Sequence, residues 1–229
     1  MSANQVLRGM EAADFDRLRP HLEEREVSKG DILIAQGTMV EEVYLPETAL
    51  LTNAIALADG RSAEAYLIGS DGVGGLLPTL ARAPASWEVK VRTAGRVYAL
   101  PAGILLEGVE KSPTLRAQLW RLANDYQARA IQAMACATLH TATARLAHFM
   151  VSSAERSGSD EIRFTQEEIA DVLNVQRTTV NASAKELKAR GAIRYCRGKV
   201  RILDHALLTR LSCECATLRP TGFSGPRQD

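Results

Sequence analysis

The spacing of hydrophobic residues changes along the chain and predicts different kinds of secondary structure. The first 19 residues place apolar side chains at helical intervals, which predicts one or two short amphipathic helices ending at Pro20. Residues 27–100 carry short apolar runs, such as residues 32–34 and 43–45, separated by turns rich in glycine. Runs of this length predict strands, and many short strands with regular turns predict a sandwich or barrel.

After Pro101 the sequence predicts a helix over residues 141–153 and, before it, a long helix that begins at Ser112. Its only proline, Pro113, occupies a position where the first helical turn tolerates proline. Apolar residues recur every third or fourth position in the series Leu115, Leu119, Leu122 and Tyr126. Because three or four heptads do not prove a coiled coil, the periodicity fits both a helix packed in the core of its own chain and a dimer seam.

The segment after residue 164 carries the signals of two short helices joined by a tight turn. Thr165 and Glu168 have the spacing of a capping box, which begins a helix. Asn174 enters the left-handed backbone region at low cost, so the chain turns there. A second helix follows from residue 175 or 176 to about residue 190, and Gly191 supplies a left-handed stop. This spacing is that of a helix-turn-helix.

The second of these helices presents the candidate DNA-binding side chains. Projected at about 100° per residue, Val180, Ala184 and Leu187 point inward. The candidate base-contacting residues lie on the outward face and in the first turn: Gln176, Arg177, Thr178 and Asn181. The candidate phosphate contacts are Thr165, Thr179, Lys185, Lys188, Arg197 and Lys199.

The charge of the chain is concentrated in this segment. Lys and Arg number 28 against 27 Asp and Glu, and a net charge of +1 argues against a nucleic-acid binder held by bulk charge. Residues 175–201, which include a predicted hairpin with a basic tip, hold eight basic residues and only Glu186 as an acid, a local charge of +7. The near-zero net charge of the whole chain is therefore the sum of a basic segment, residues 175–201, and an acidic rest of the chain.

Composition narrows the class of protein further. A content of 46% hydrophobic and 24% charged residues is typical of a globular chain, and 229 residues favour two domains. No window approaches the roughly 20 apolar residues of a membrane span, so we expect a cytoplasmic protein without a membrane partner. Four cysteines in a chain of this length do not resemble a disulfide framework.

The residues resemble the cAMP receptor protein/FNR (Crp/Fnr) family of bacterial transcription regulators. The resemblance rests on residues 165–203 as a winged helix-turn-helix and on residues 29–37, 43–45 and 92–97 as a β-roll signature. It implies an α+β fold with a cyclic-nucleotide-binding-like roll, a dimerisation helix and a DNA-binding domain. The implied bounds are 1–110 for the roll, 111–140 for the dimerisation helix, 141–215 for the winged helix-turn-helix and 216–229 for a flexible tail.

The same resemblance implies partners and a function. We expect a homodimer, with Leu115, Leu119, Leu122 and Tyr126 in its seam, that regulates transcription from a two-fold operator on double-stranded DNA. RNA polymerase is the further partner that it implies, and we expect no enzymatic activity. The alternative is a nucleotide- or redox-responsive module whose winged helix binds a protein partner, against which the local charge of +7 argues.

The sequence departs from the cyclic-nucleotide-binding members of the family. Where those members carry glycine-glutamate and arginine-serine pairs, this chain has Gly74 with Gly75 and Ala85 with Ser86. Because a buried phosphate without an arginine lacks its charge-assisted hydrogen bonds, we expect an effector other than cAMP. Residues 1–135 also lack the cysteines of an FNR-type iron–sulfur cluster, so we expect no cofactor.

Cysteine and histidine residues offer one further candidate site. Cys136 and His140 are four positions apart on a predicted helix, and Cys213 and Cys215 form a close pair. The pair has a one-residue gap rather than the commoner two, and free cysteine is often simply buried, so we expect no metal here. Cys196, between Arg194 and Arg197, is a similar candidate for redox sensing, because the two arginines could lower its pKa.

Overall fold

The structure is a computed structural model that describes residues 2–58, 62–157, 159–162, 164–196 and 199–216. It divides the chain into two compact units after Arg129. The boundary falls inside one long helix, and the bounds expected from the sequence at residues 110, 140 and 215 stay predictions.

The first unit begins with two short helices, α1 (Gln5–Arg8) and α2 (Ala12–Leu18), followed by a 3-10 turn (Arg19–His21). Asn4 caps α1, because its side-chain oxygen accepts hydrogen bonds from the backbone N–H groups of Val6 and Leu7 at 3.0 and 3.2 Å. The predicted pair of amphipathic helices is therefore present.

Seven strands follow and form two antiparallel sheets. Their bounds are β1 (Glu23–Val27), β2 (Ile32–Ile34), β3 (Glu42–Pro46), β4 (Leu50–Ala56), β5 (Ser62–Ile68), β6 (Glu88–Thr93) and β7 (Gly95–Pro101). One sheet has the order β1-β7-β3 and the other the order β2-β6-β4-β5. Apolar side chains from both sheets, among them Val27, Leu51, Val89 and Val97, share one buried cluster, which confirms the predicted roll.

Three helices complete the elements of the first unit: α3 (Leu76–Ala81), α4 (Ala102–Lys111) and the 27-residue α5 (Pro113–Leu139), whose last ten residues belong to the second unit. Leu115, Leu119, Leu122 and Tyr126 of α5 are at most 2% exposed and belong to the apolar core of the first unit. Their assignment to a dimer seam is therefore wrong, because the 3–4 spacing of these residues follows the face that packs against their own chain.

The second unit contains the remaining elements. They are α6 (Ala142–Ser157), β8 (Glu161–Ile162), α7 (Gln166–Leu173), α8 (Arg177–Ala189), β9 (Ile193–Cys196), β10 (Lys199–Ile202), α9 (His205–Leu211) and a 3-10 turn (Glu214–Ala216). The three strands pair antiparallel in the order β8-β10-β9. Each α-helix after α5, and the central strand β10, contributes one residue with no exposed surface to the interior of this unit. These residues are Leu146, Ile169, Leu187, Val200 and Leu208. Within the described ranges, each helix is too short or too polar to cross a lipid bilayer.

Candidate nucleic-acid interface

The turn between α7 and α8 has the geometry that the sequence predicts. The Thr165 hydroxyl accepts a hydrogen bond from the Glu168 N–H at 3.2 Å, and the Glu168 carboxylate accepts one from the Thr165 N–H at 2.5 Å. This confirms the capping box that begins α7. Asn174 ends α7 in the left-handed region with φ 51°, and α8 begins three residues later at Arg177. The two helices are thus joined by a tight turn of fixed geometry.

The inner face of α8 anchors it to the rest of the second unit. Val180, Ala184 and Leu187 are buried, as their spacing predicts. Ser183 lies on the same side and accepts a hydrogen bond at 3.2 Å from Thr143 of α6. Arg145 of α6 also donates a hydrogen bond to the carbonyl oxygen of Leu173, the last residue of α7. Helix α6 therefore fixes both helices of the motif.

The outer face of α8 is open to solvent. Gln176, Arg177 and Thr178 are exposed around the first turn, and Asn181 is half-buried one turn later. Lys185 and Lys188 are exposed farther along the helix. Arg177, Lys185 and Lys188 have no carboxylate partner among the described residues. Their charges are therefore available to a ligand, and an exposed N-terminal turn of this kind fits the major groove of DNA.

The two candidate threonines differ in exposure. Thr165 is exposed, and its oxygen accepts the capping hydrogen bond, so its hydroxyl proton can still be donated to a phosphate. Thr179 is half-buried in the first turn of α8. Both lie at the N-terminal end of a helix, where the partial positive charge of the backbone favours an anion.

The hairpin of β9 and β10 shows a charge pattern that the sequence count misses. Lys199 lies 2.7 Å from the carboxylate of Glu161 in β8, so part of its charge is neutralised by a residue outside the basic segment. Arg190 is paired with Glu186 at 2.8 Å, an acid that the count of +7 already includes. Arg197, at the predicted tip of the hairpin, lies outside the described residues. The free positive charge of the segment is thus smaller than +7.

Two arginines on this sheet are additional candidates for phosphate contacts. Arg194 of β9 and Arg201 of β10 are direct cross-strand partners, and both are exposed. Like charges placed opposite each other repel, so an anion bound between them would be stabilised by both. The alternation of apolar and basic residues in residues 193–196 and 199–202 is the sequence signal that identifies this exposed face.

The first unit contains Gly74, Gly75, Ala85 and Ser86, the four residues expected at the positions of a nucleotide-binding cassette. Gly75 has φ 84°, and a Cβ there would lie 2.4 Å from the Ile34 side chain, so the site admits no larger residue without rearrangement. Its neighbour Gly74 pairs with the backbone of Tyr44. Ala85 is buried and hydrogen-bonds through its N–H to the Thr38 carbonyl at 2.8 Å, while the adjacent Ser86 is exposed.

The four residues considered for a metal site come together in the second unit. Cys136, Cys213 and Cys215 are buried thiols, and His140 lies beside Cys213 and Cys215. His148 of α6 joins them, although no spacing in the sequence pointed to it. The side chain of Cys196 lies outside the described part of the chain.

Comparison with known proteins agrees with this architecture. Residues 144–211 match the Crp-like helix-turn-helix domain. A CRP-like cAMP-activated global transcriptional regulator of Mycobacterium tuberculosis is 24% identical over 212 residues, which cover 90% of this chain and 95% of that protein.

Solved structures are similar in fold. A transcriptional regulator of the Crp/Fnr family from Eubacterium rectale has a TM-score of 0.72 at 19% identity, covering 90% of this chain and 96% of that one. FixK2 from Bradyrhizobium japonicum has a TM-score of 0.74 at 18% identity, covering 84% and 98%. With its β-roll, long helix and Crp-like helix-turn-helix, the chain has the fold of transcription regulators of the Crp/Fnr family.

Proposed function

We propose that the chain acts as a homodimer that binds a two-fold DNA operator through two copies of the outer face of α8. The proposal rests on the exposed N-terminal turn of α8, where Arg177 has no carboxylate partner among the described residues. Arginine is the common bidentate partner of guanine in the major groove. Gln176, Thr178 and Asn181 surround it and supply further donors and acceptors for base edges.

Affinity comes from a second group of residues in this proposal. Lys185 and Lys188 contact phosphates from the exposed side of α8, and Thr165 and Thr179 donate to phosphates at helix N-termini. Arg197 and Lys199 contact phosphates from the wing, and Lys199 exchanges its Glu161 partner for the DNA backbone. Such contacts do not distinguish base sequences, so they set the salt dependence of binding.

The exposed face of α5 supports a dimer seam different from the one expected. In the first unit, Trp120 is 59% exposed on α5. In the second unit, Ile131 and Met134 of the same helix are 51% and 65% exposed. With Ala117, Asn124, Gln127 and Thr138, which are also exposed, they recur at alternating intervals of three and four residues. This is the heptad spacing by which two copies of one helix pack together, so a second copy of the chain is the partner that we propose for this face.

We further propose that the effector is not cAMP. The Mycobacterium tuberculosis relative is described as cAMP-activated, but here Gly75 and Ala85 stand at the two positions where the family's charged ligands are expected. The backbone at Gly75 supports this, because its φ of 84° is a conformation that glutamate adopts only with strain. At the promoter, the regulator contacts RNA polymerase, and it acts in the cytoplasm, where both DNA and polymerase lie.

Anisotropy of a labelled duplex, titrated with the purified chain at several salt concentrations, tests the proposal. We expect tight binding at low salt, a steep loss of affinity as salt rises and a stoichiometry of two chains per operator. Addition of cAMP should leave both the affinity and the melting temperature unchanged. Failure to bind duplex DNA at low salt would contradict the proposal and favour a protein partner for the winged helix.

A further inference from the structure

Three thiols and two imidazoles meet inside the second unit and form a cluster that the DNA-binding surface does not use. The thiol–imidazole cluster consists of Cys136 near the end of α5, His140 after it, His148 on α6, and Cys213 and Cys215 after α9. The ligand atoms of Cys136, His148 and Cys213 all lie within 4.8 Å of one another, and so do those of His140, Cys213 and Cys215. Cys213 belongs to both sets and is the centre of the cluster.

The distances within the cluster are those between the ligands of a tetrahedral metal ion. The sulfur atoms of Cys136 and Cys213 are 3.6 Å apart, and the Cys213 sulfur is 3.6 Å from Nδ1 of His148. Zinc bonds of about 2.3 Å to sulfur and about 2.0–2.1 Å to nitrogen separate two sulfurs by about 3.8 Å and sulfur from nitrogen by about 3.6 Å in a tetrahedron. Cys136, Cys213 and His148 therefore need little movement to bind such an ion.

The fourth ligand follows from the contacts of Cys213. Cys215 and His140 both lie within 4.8 Å of it, and Cys215 is buried whereas His140 is half-buried.

The backbone holds the ligand-bearing segments in place. The side chain of Gln132 on α5 donates a hydrogen bond to the Cys215 carbonyl at 2.7 Å. The Cys213 N–H donates to the carbonyl of Ala144 on α6 at 3.3 Å. Each anchor ties the segment after α9 to a helix that carries another ligand. The three thiols are also buried, as in structural metal sites that exclude water.

We propose that the cluster is a binding site for a thiophilic divalent cation of the zinc class, coordinated by the sulfurs of Cys136, Cys213 and Cys215 and by the imidazole of His148. Three thiolates and one imidazole are a common ligand set of structural zinc sites. Binding releases the thiol protons to solvent. The ion would link α5, α6 and the segment after α9, and α6 is the helix that holds α7 and α8 through Arg145 and Thr143.

The test is cobalt binding by the full-length chain, purified with a phosphine reductant that keeps the thiols reduced. Cobalt(II) reports on the site because thiolate ligation gives a near-ultraviolet charge-transfer band and tetrahedral geometry gives intense visible bands. We expect both bands at one cobalt per chain, and displacement of cobalt by zinc. Cys213→Ser should weaken cobalt binding by more than about 100-fold, since loss of a ligand exceeds the cost of losing an outer-shell partner.

Matched variants separate the site from adventitious binding. Cys196→Ser removes the remaining cysteine, which lies in β9, and His140→Ala removes the imidazole outside the proposed set; both should keep the bands. If circular dichroism shows that Cys213→Ser does not fold, cobalt binding is measured on His148→Ala instead, and the same loss of affinity is expected. The proposal is overturned if the reduced chain shows no thiolate–cobalt band, if the folded Cys213→Ser or His148→Ala variant binds as tightly as the parent, or if a Cys136–Cys213 disulfide forms and its reduction restores no metal uptake.

Discussion

Replacement of Arg177 by alanine tests the division between base contacts and phosphate contacts. Arg177 is the first residue of α8, it is exposed, and no carboxylate among the described residues pairs with it. Alanine is the best helix former, so the variant should fold with unchanged stability. Any loss of DNA binding then comes from the missing contact with the operator rather than from the fold.

The size of the effect follows from the kind of contact. A bidentate arginine–guanine contact discriminates by about 1–3 kcal/mol, so Arg177→Ala should lower the ratio of operator to non-specific affinity by about 5- to 150-fold for each half-site. Lys185→Ala removes an exposed charge from the same helix but no base contact. It should leave that ratio unchanged and reduce the slope of log affinity against log salt by about 0.9 per protomer.

The assay is anisotropy of two labelled duplexes, a selected operator and a scrambled control, across a series of salt concentrations. Arg116→Ala is the control, because Arg116 is exposed on α5 in the first unit and should not alter binding to either duplex. Equal changes of the affinity ratio and of the salt slope in Arg177→Ala and Lys185→Ala would show that the two residues do not divide base contacts from phosphate contacts.

Three further substitutions test the dimer seam, the core and the wing. Trp120→Glu places a charge in the proposed seam of both protomers and should raise the dimer dissociation constant more than about 10-fold in sedimentation, with unchanged helicity; an intact dimer would contradict the seam. Tyr126→Phe leaves the buried N–H of Val73, which donates to the tyrosine oxygen at 2.6 Å, without a partner and should cost about 1–3 kcal/mol in denaturant unfolding. An unchanged unfolding midpoint would refute that role. Glu161→Gln frees Lys199 and should tighten binding to all duplexes at low salt by up to about fivefold, and tightening confined to the operator would argue against a phosphate contact.

The sequence predicts local structure in this protein better than it predicts which residues meet. The capping box of Thr165, the left-handed Asn174 and the inward face of α8 are as expected, because each depends on neighbours within one turn or one helix. The helical periodicity of α5 is also as expected, but the face of the helix that the periodicity assigns to the dimer seam is buried in the chain's own core. Leu115 and Trp120 both fit a 3–4 repeat, and only the packed roll determines which of them is buried.

Charge and ligand clusters depend on contacts between distant segments. Glu161 neutralises Lys199 across two strands, and a count within residues 175–201 cannot include it. His148 reaches the cysteines only because α6 folds back beside the end of α5 and the segment after α9. The thiols of Cys136 and Cys213 are 77 residues apart in the chain, so their spacing carried no metal signature.

The proposed function depends on the binding of one operator by two copies of α8. Selection of bound duplexes from a random pool by the purified chain measures this binding mode. We expect an inverted repeat whose half-sites lie one helical turn, about 10–10.5 base pairs, apart, and its enrichment should be lost in Arg177→Ala. Enrichment of a single unrepeated half-site, or of no sequence at all, would contradict this binding mode.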